Sequence, residues 1–159
     1  FGLGYPGGPA IERKAHGGDS TKYHFPRILL SKDSLDFSFS GLKTSLLYFM
    51  DDFTETKSIS LSDIIASYQQ AIVDTLVEKT RRAMDQTGAK RCIIAGGVAA
   101  NQCLRDRLNV ILPDKDMLFP DFSLCTDNAA MISYLGQLKY QSNFFKKLDF
   151  SVIPNLKLV

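Results

Sequence analysis

The chain has 159 residues, 45% of them hydrophobic, and 19 Lys and Arg against 17 Asp and Glu give a net charge of +2. That is chain enough for one packed α/β unit and too little for two comfortable domains, while the near-balanced charge, without a dense Lys/Arg block, neither supports nor excludes a nucleic-acid partner. The absence of an apolar run of about eighteen residues and of a basic-then-apolar leader argues against a membrane span and a signal peptide, and three cysteines without C-x-x-C spacing, Cys92, Cys103 and Cys125, argue against a disulfide framework or a zinc knuckle.

A soluble protein of the reducing cytoplasm is therefore expected. The opening Phe1-Gly2-Leu3-Gly4-Tyr5-Pro6-Gly7-Gly8-Pro9 reads like the middle of a fold, so the chain is expected to be a fragment of a larger protein. Pro9 to Ala15 predicts a short helix stopped by Gly17-Gly18, because Pro is tolerated in a first helical turn. A polar loop follows to about Asp33. The alternation Leu35-Asp36-Phe37-Ser38-Phe39-Ser40 predicts a short strand with Phe37 and Phe39 on one side and the hydroxyls on the other.

Ser40 is then placed to cap a helix over 41–50. After a polar connector from Thr54, Ser60-x-x-Asp63 resembles a capping box. It opens a long helix with Leu61, Ile64, Ile65, Tyr68, Ile72 and Leu76 on one stripe, which Gly88 ends. Arg81 and Arg82 would face the negative end of its dipole, and Lys146-Lys147 reads as solvent-facing charge. Arg91 to Ala95 predicts a parallel strand covered on both faces, Ala99 to Ile111 a helix, Met117 to Phe119 a strand and Thr126 to Tyr140 a last helix. The alternation of helix and strand gives an α/β fold, helix-rich with a short parallel or mixed sheet. Three segments follow: turn, short helix and loop over 1–35, strand and helical segment over 36–90, and strand-turn-helix units with a tail over 91–159.

Two stretches could carry chemistry. Gly96-Gly97-Val98-Ala99-Ala100-Asn101 lies between a strand and a helix, where glycines admit close backbone approach and a helix start offers free N–H groups to an anion. A phosphate or nucleotide site, with Asn101 bonding sugar or base, and a plain tight turn both remain open. The run is neither G-x-G-x-x-G nor a Walker loop. In Cys125-Thr126-Asp127-Asn128-Ala129-Ala130-Met131, Thr126 suits an N-cap and Asp127 a first helical turn, yet a carboxylate there also stands where a metal or polyphosphate would approach. Ser40-x-x-Lys43 matches an acyl-enzyme motif whose companion motifs are missing. His16 and His24 read as surface residues.

Taken in order, Tyr5-Pro6-Gly7-Gly8-Pro9, Asp36-Phe37-Ser38-Phe39-Ser40-Gly41-Leu42-Lys43-Thr44, Gly96 to Asn101 and Cys125 to Met131 resemble the bacterial TsaD branch of the tRNA threonylcarbamoyladenosine synthases. The resemblance implies the C-terminal part of an actin-like ATPase (ASKHA, ribonuclease H-like) fold whose N-terminal lobe is absent. It further implies transfer of a threonylcarbamoyl group from threonylcarbamoyl-AMP to N6 of the adenosine next to the anticodon. Asp127 would be one ligand of an iron (Fe2+) or zinc (Zn2+) ion, bound once per full-length subunit and not tightly by the fragment. Gly8, Gly96, Gly97 and Asn101 would contact the adenylate or ATP/AMP, with Ser38 and Ser40 near the cleft. The other ligands, a His-x-x-x-His pair, have no counterpart here, since the only histidines are His16 and His24.

The partners implied are tRNA, a TsaB-like paralogue and a TsaE-like ATPase, with no membrane. The fragment by itself is expected to be inactive and to self-associate through surface its own lobe would cover. Two other functions compete: a non-catalytic paralogue acting as a dimerisation partner in the same pathway, and a metalloprotease, for which no H-E-x-x-H helix is found.

Overall fold

The computed structural model of the chain describes residues 1–29, 31, 33–52, 60–144, 151 and 153; the connector expected at 54–59 and the Lys146-Lys147 pair lie outside them. In chain order the elements are α1 (Gly7–Ala15), α2 (Ser40–Asp52), α3 (Leu61–Thr87), β1 (Arg91–Ile93), a 3₁₀ turn (Gly97–Ala100), α4 (Gln102–Ile111), β2 (Asp116–Leu118), a second 3₁₀ turn (Phe122–Leu124) and α5 (Ala129–Gln141). The result is a helix-rich α/β arrangement around a small parallel sheet.

α3 is the axis, and both of its ends follow from residue chemistry. Ser60, in extended backbone, accepts a hydrogen bond from the Asp63 amide, and Gly88 closes the helix in the left-handed conformation at φ 66°. Three clusters pack around this helix, so it is buried on several sides and not on one stripe alone. Near its start Ile65 and Ala66 meet Ala15 of α1, with Ile11 and Leu3 alongside. Ile64, Tyr68 and Ala71 meet Phe25 and Leu42 of α2, where the Phe25 ring stands edge-on to Tyr68 at 5.3 Å. Further along, Val73, Val77 and Met84 meet Leu104 and Leu108 of α4, with Cys92 and Met117 from the sheet packed beneath. Each fully buried Val, Leu, Ile, Phe or Met side chain among them contributes about 1.5–3 kcal/mol by leaving water.

Several expected features take another form. α1 begins at Gly7, ahead of Pro9. Arg81 and Arg82 do not serve the helix end; their guanidinium Nε atoms donate to Glu78 at 2.9 and 2.8 Å. A full carboxylate charge that close outcompetes the half-charge of a helix terminus more than a turn away. No strand forms over 35–40: the segment 34–39 runs without a ladder, although Phe37 and Phe39 do share a side, with rings stacked 6.1 Å apart. Alternation defines a face but supplies no neighbouring strand. Side chains of α3 hold the preceding loop instead: Lys79 donates to the Ser34 carbonyl, Arg82 to Ser31 and Gln86 to Asp33. Ser40 is the first residue of α2 and not the residue capping it.

In the sheet, Arg91, Cys92 and Ile93 stand opposite Asp116, Met117 and Leu118. β1 is shorter than the expected 91–95 and β2 begins one residue before the expected Met117. Only one face is covered, since Ile93 is 69% and Leu118 41% exposed, because two strands present a single helix-packed side. α5 buries no residue at all and leaves Ile132, Tyr134 and Leu135 exposed.

Candidate nucleotide-binding site

The turn after β1 is set by one glycine. Gly96 adopts φ 91° and ψ 173°, a region closed to residues with a Cβ, and its carbonyl accepts the Ala99 amide at 2.9 Å to start the 3₁₀ turn. Asn101 returns to extended backbone and caps α4, its Oδ1 accepting the Leu104 amide at 2.9 Å. The helix expected over 99–111 is thereby split in two, because a residue that caps cannot also sit inside the helix. The Asn101 Nδ2 donates to Gln69 Oε1 at 3.2 Å, which ties the turn to α3.

At the start of α4 the Gln102 and Leu104 N–H groups are already engaged by the protein's own side chains. Glu12 of α1 places Oε1 2.6 Å from the Gln102 amide, so the protein's own carboxylate occupies the positive end of the dipole. The Gly97 and Val98 amides of the glycine turn are among the donors that remain: among the described residues no protein acceptor meets either of them. An anion approaching this region could be held by the turn amides, while the Glu12 carboxylate opposes its binding at the helix start.

Beside that turn lies a cavity of about 530 Å³ bounded by Gly8 and Pro9 of α1, Ile72 and Leu76 of α3, Gly97 and Asn101 of the turn, and Thr126. A Cβ built on Gly97 would stand 3.9 Å from Thr126 Cγ2, so the two loops close on each other at this point. A mostly apolar lining with a few polar side chains, in this size range, suits a small organic ligand.

Three of the residues singled out from the sequence, Gly8 and, far from it in the chain, Gly97 and Asn101 of one turn, thus border one space. Gly96 is not among the lining residues; it shapes the turn that carries Gly97. Ser38 and Ser40 do not border the cavity either, and the Ser40 carbonyl is engaged by Thr44 Oγ1 at 3.1 Å on the α2 side. Both histidines are exposed.

Neither Thr126 nor Asp127 belongs to α5. Asn128 is the cap, its side chain accepting the Met131 amide at 2.9 Å from an extended backbone. The reason is that Asn caps at least as well as Thr and stands directly before the apolar run. The capping role offered for Thr126 is therefore filled by Asn128, and Thr126 faces the cavity. Asp127, exposed and next to it, is not among the lining residues.

Sequence reasoning missed Glu12 and Gln69. Nothing local to either of them marks its role, because each acts on a partner distant in the chain. Burial pushes the Cys92 and Cys103 thiols above their ordinary range, which keeps them neutral. Among the described residues no three His, Cys, Asp or Glu side chains come together in a way that could hold a metal ion. A single exposed carboxylate falls short of the three or four protein ligands such a site uses, so these residues alone do not fit an iron or zinc ion. No helix among the described residues is long and apolar enough to cross a membrane.

Residues 1–134 match the sequence profile of TsaD, tRNA N6-adenosine threonylcarbamoyltransferase. The chain belongs to the TsaD family. TsaD relatives of that name include proteins from Kosmotoga olearia, 45% identical over the whole chain and 48% of the relative's length, and Thermotoga neapolitana, 42% identical over 99% of the chain and 48% of the relative. A third, from Listeria innocua, is 43% identical over 99% of the chain and 47% of the relative. The chain thus spans about half the length of the curated TsaD relatives it matches.

Proposed function

We infer that this chain is the nucleotide-binding half of an enzyme that moves a threonylcarbamoyl group from threonylcarbamoyl-AMP to N6 of the adenosine next to the anticodon of tRNA. The observation that carries the reading is the convergence of Gly8, Gly97 and Asn101 on one cavity. These are positions that the TsaD resemblance links to the adenylate. The adenylate's adenine and ribose would lie over Ile72 and Leu76, and its phosphate would meet the Gly97 and Val98 amides. The Glu12 carboxylate disfavours the opposite orientation, since it would face the phosphate with like charge.

In the reaction so read, the N6 amine attacks the carbamoyl carbon, the bond from that carbon to the phosphate oxygen breaks, AMP departs with the bonding electron pair, and the proton lost from N6 passes to water. Amides already aimed at the phosphate would stabilise the charge that grows there without reorganising. The residues described assign no general base. Asp127 is offered as one ligand of a metal ion whose remaining ligands come from outside the 159 residues, and no step is routed through it. The finer fold reading is an actin-like ATPase lobe, working in the cytoplasm with tRNA, a TsaB-like paralogue and a TsaE-like ATPase.

The test is transfer by the complete gene product, reconstituted with those two proteins and tRNA, before and after Gly97→Val. The wild type should modify tRNA, and a side chain filling the space between Gly97 and Thr126 should raise the KM for threonylcarbamoyl-AMP at least tenfold. A wild type that binds no adenine nucleotide, or a Gly97→Val protein with unchanged KM, would contradict the reading.

A further inference from the structure

The two loops framing the cavity, 96–101 and 119–128, have little in common to hold them together. The backbone ladder between β1 and β2 ends with the Ile94 amide donating to the Leu118 carbonyl at 3.0 Å, and beyond it each loop's described backbone hydrogen bonds are internal or run to its own neighbours in sequence. Among the described residues, the hydrogen bonds of one side chain cross the gap. Arg105 of α4 donates through Nε to the Ala99 carbonyl at 2.6 Å and through a terminal nitrogen to the Pro120 carbonyl at 2.7 Å, with the same nitrogen 3.3 Å from Cys125 Sγ. Its guanidinium carbon lies 5.1 Å from the Phe119 ring centroid and 4.1 Å from that of Phe122.

We propose that Arg105 is the positioning residue of this site, fixing the separation of Gly97 from Thr126 and with it the width of the slot that receives the adenylate. It does not line the cavity and touches no reacting atom. Its geometry suits the task because a planar fork reaches two carbonyls in different directions while aromatic side chains stack on its faces, which a lysine's point charge cannot do. Bonds from a charged donor to neutral carbonyls are also stronger than ordinary ones, so the link resists the opening of a loop that few other contacts restrain. The proposal rests on reading the cavity as the adenylate site.

Arg105→Met and Arg105→Lys in the complete gene product provide the test, at a temperature where circular dichroism shows both variants folded. Without ligand, hydrogen exchange should rise at least tenfold in 96–101 and 119–128 together in Arg105→Met, and elsewhere stay within threefold. The Kd for AMP and the KM for threonylcarbamoyl-AMP should rise at least tenfold with kcat within threefold, and Arg105→Lys should recover less than a third of the loss. Should Arg105→Met fail to fold, Arg105→Lys and Phe122→Leu carry the comparison. Unchanged loop exchange, or AMP affinity within twofold of wild type in folded variants, overturns the proposal as a merely structural role. If the wild type binds no AMP, the nucleotide reading falls, and the exchange data still decide whether Arg105 sets the loop spacing.

Discussion

Replacing Gly96 with Ala separates conformational strain from steric clash. No heavy atom lies within 4 Å of the Cβ that Ala would add, so the whole penalty comes from holding an L residue at φ 91° and ψ 173°. Strain of that kind costs about 1–3 kcal/mol, and the stiffer unfolded chain returns about 0.4–1 kcal/mol, leaving a net loss centred on about 1.3 kcal/mol. Gly136, inside α5 and equally open, is the control: there Ala should add about 0.5–1 kcal/mol. With a urea dependence of about 2 kcal/mol per molar, the Gly96→Ala midpoint falls by about 0.5–1 M and the Gly136→Ala midpoint rises by about 0.25–0.5 M. Circular dichroism at 222 nm during urea titration reads both. A Gly96→Ala midpoint at or above that of the wild type would refute the view that this backbone conformation dictates glycine and shapes the turn.

Three further expectations accompany it. Ser60→Ala removes the side-chain cap of the 27-residue α3 and should lower stability by about 1 kcal/mol in the same titration, with Ser60→Thr nearly neutral. Glu78 is held at a pKa of about 2, below its usual 4.5, by hydrogen bonds from Arg81 and, against the opposing effect of burial, from Arg82. A depressed carboxylate pKa stabilises the fold fully above the unfolded value and loses that contribution as pH falls from about 4.5 through about 2. Glu78→Gln should therefore be less stable than wild type at pH 7, and the two stability curves should converge in acid; a gap that persists unchanged at pH 2 would contradict the linkage. The exposed apolar side chains of α5, among them Ile132 62%, Tyr134 64% and Leu135 47% exposed, should make the 159-residue chain self-associate at micromolar concentration, and Ile132→Asp with Leu135→Asp should shift it toward monomer in sedimentation velocity.

Features governed by neighbours in sequence could be read from the residues. Ser60 before an apolar run, Gly88 after it and the glycine pair after β1 each act through the local backbone, and each behaves as its chemistry requires. The strand expected at 35–40 illustrates the limit: alternation marks Phe37 and Phe39 as one face, but a ladder needs a second strand that no local pattern supplies. The choice of cap before α5 was nearly degenerate, with Thr126, Asp127 and Asn128 in succession, and an extended backbone at Asn128 decided it. The partner of the Gln102 amide was out of reach, because Glu12 lies 90 residues away and an acidic residue in a short amphipathic helix looks like any solvated charge. Gly8, Gly97 and Asn101, which border the cavity, had been picked out through the TsaD resemblance, whereas the link made by Arg105 was not foreseen, because one arginine in a polar helix carries no signal until its two carbonyl acceptors are brought together.

Hydrogen exchange of the complete gene product, with and without saturating AMP, tests the adenylate assignment most directly. Protection should centre on the Gly97 and Val98 amides and extend to the loop at Thr126, with Gly97→Val abolishing it. Protection that appears elsewhere while 96–101 exchanges as in the free protein would mean that the nucleotide is bound by a different part of the molecule.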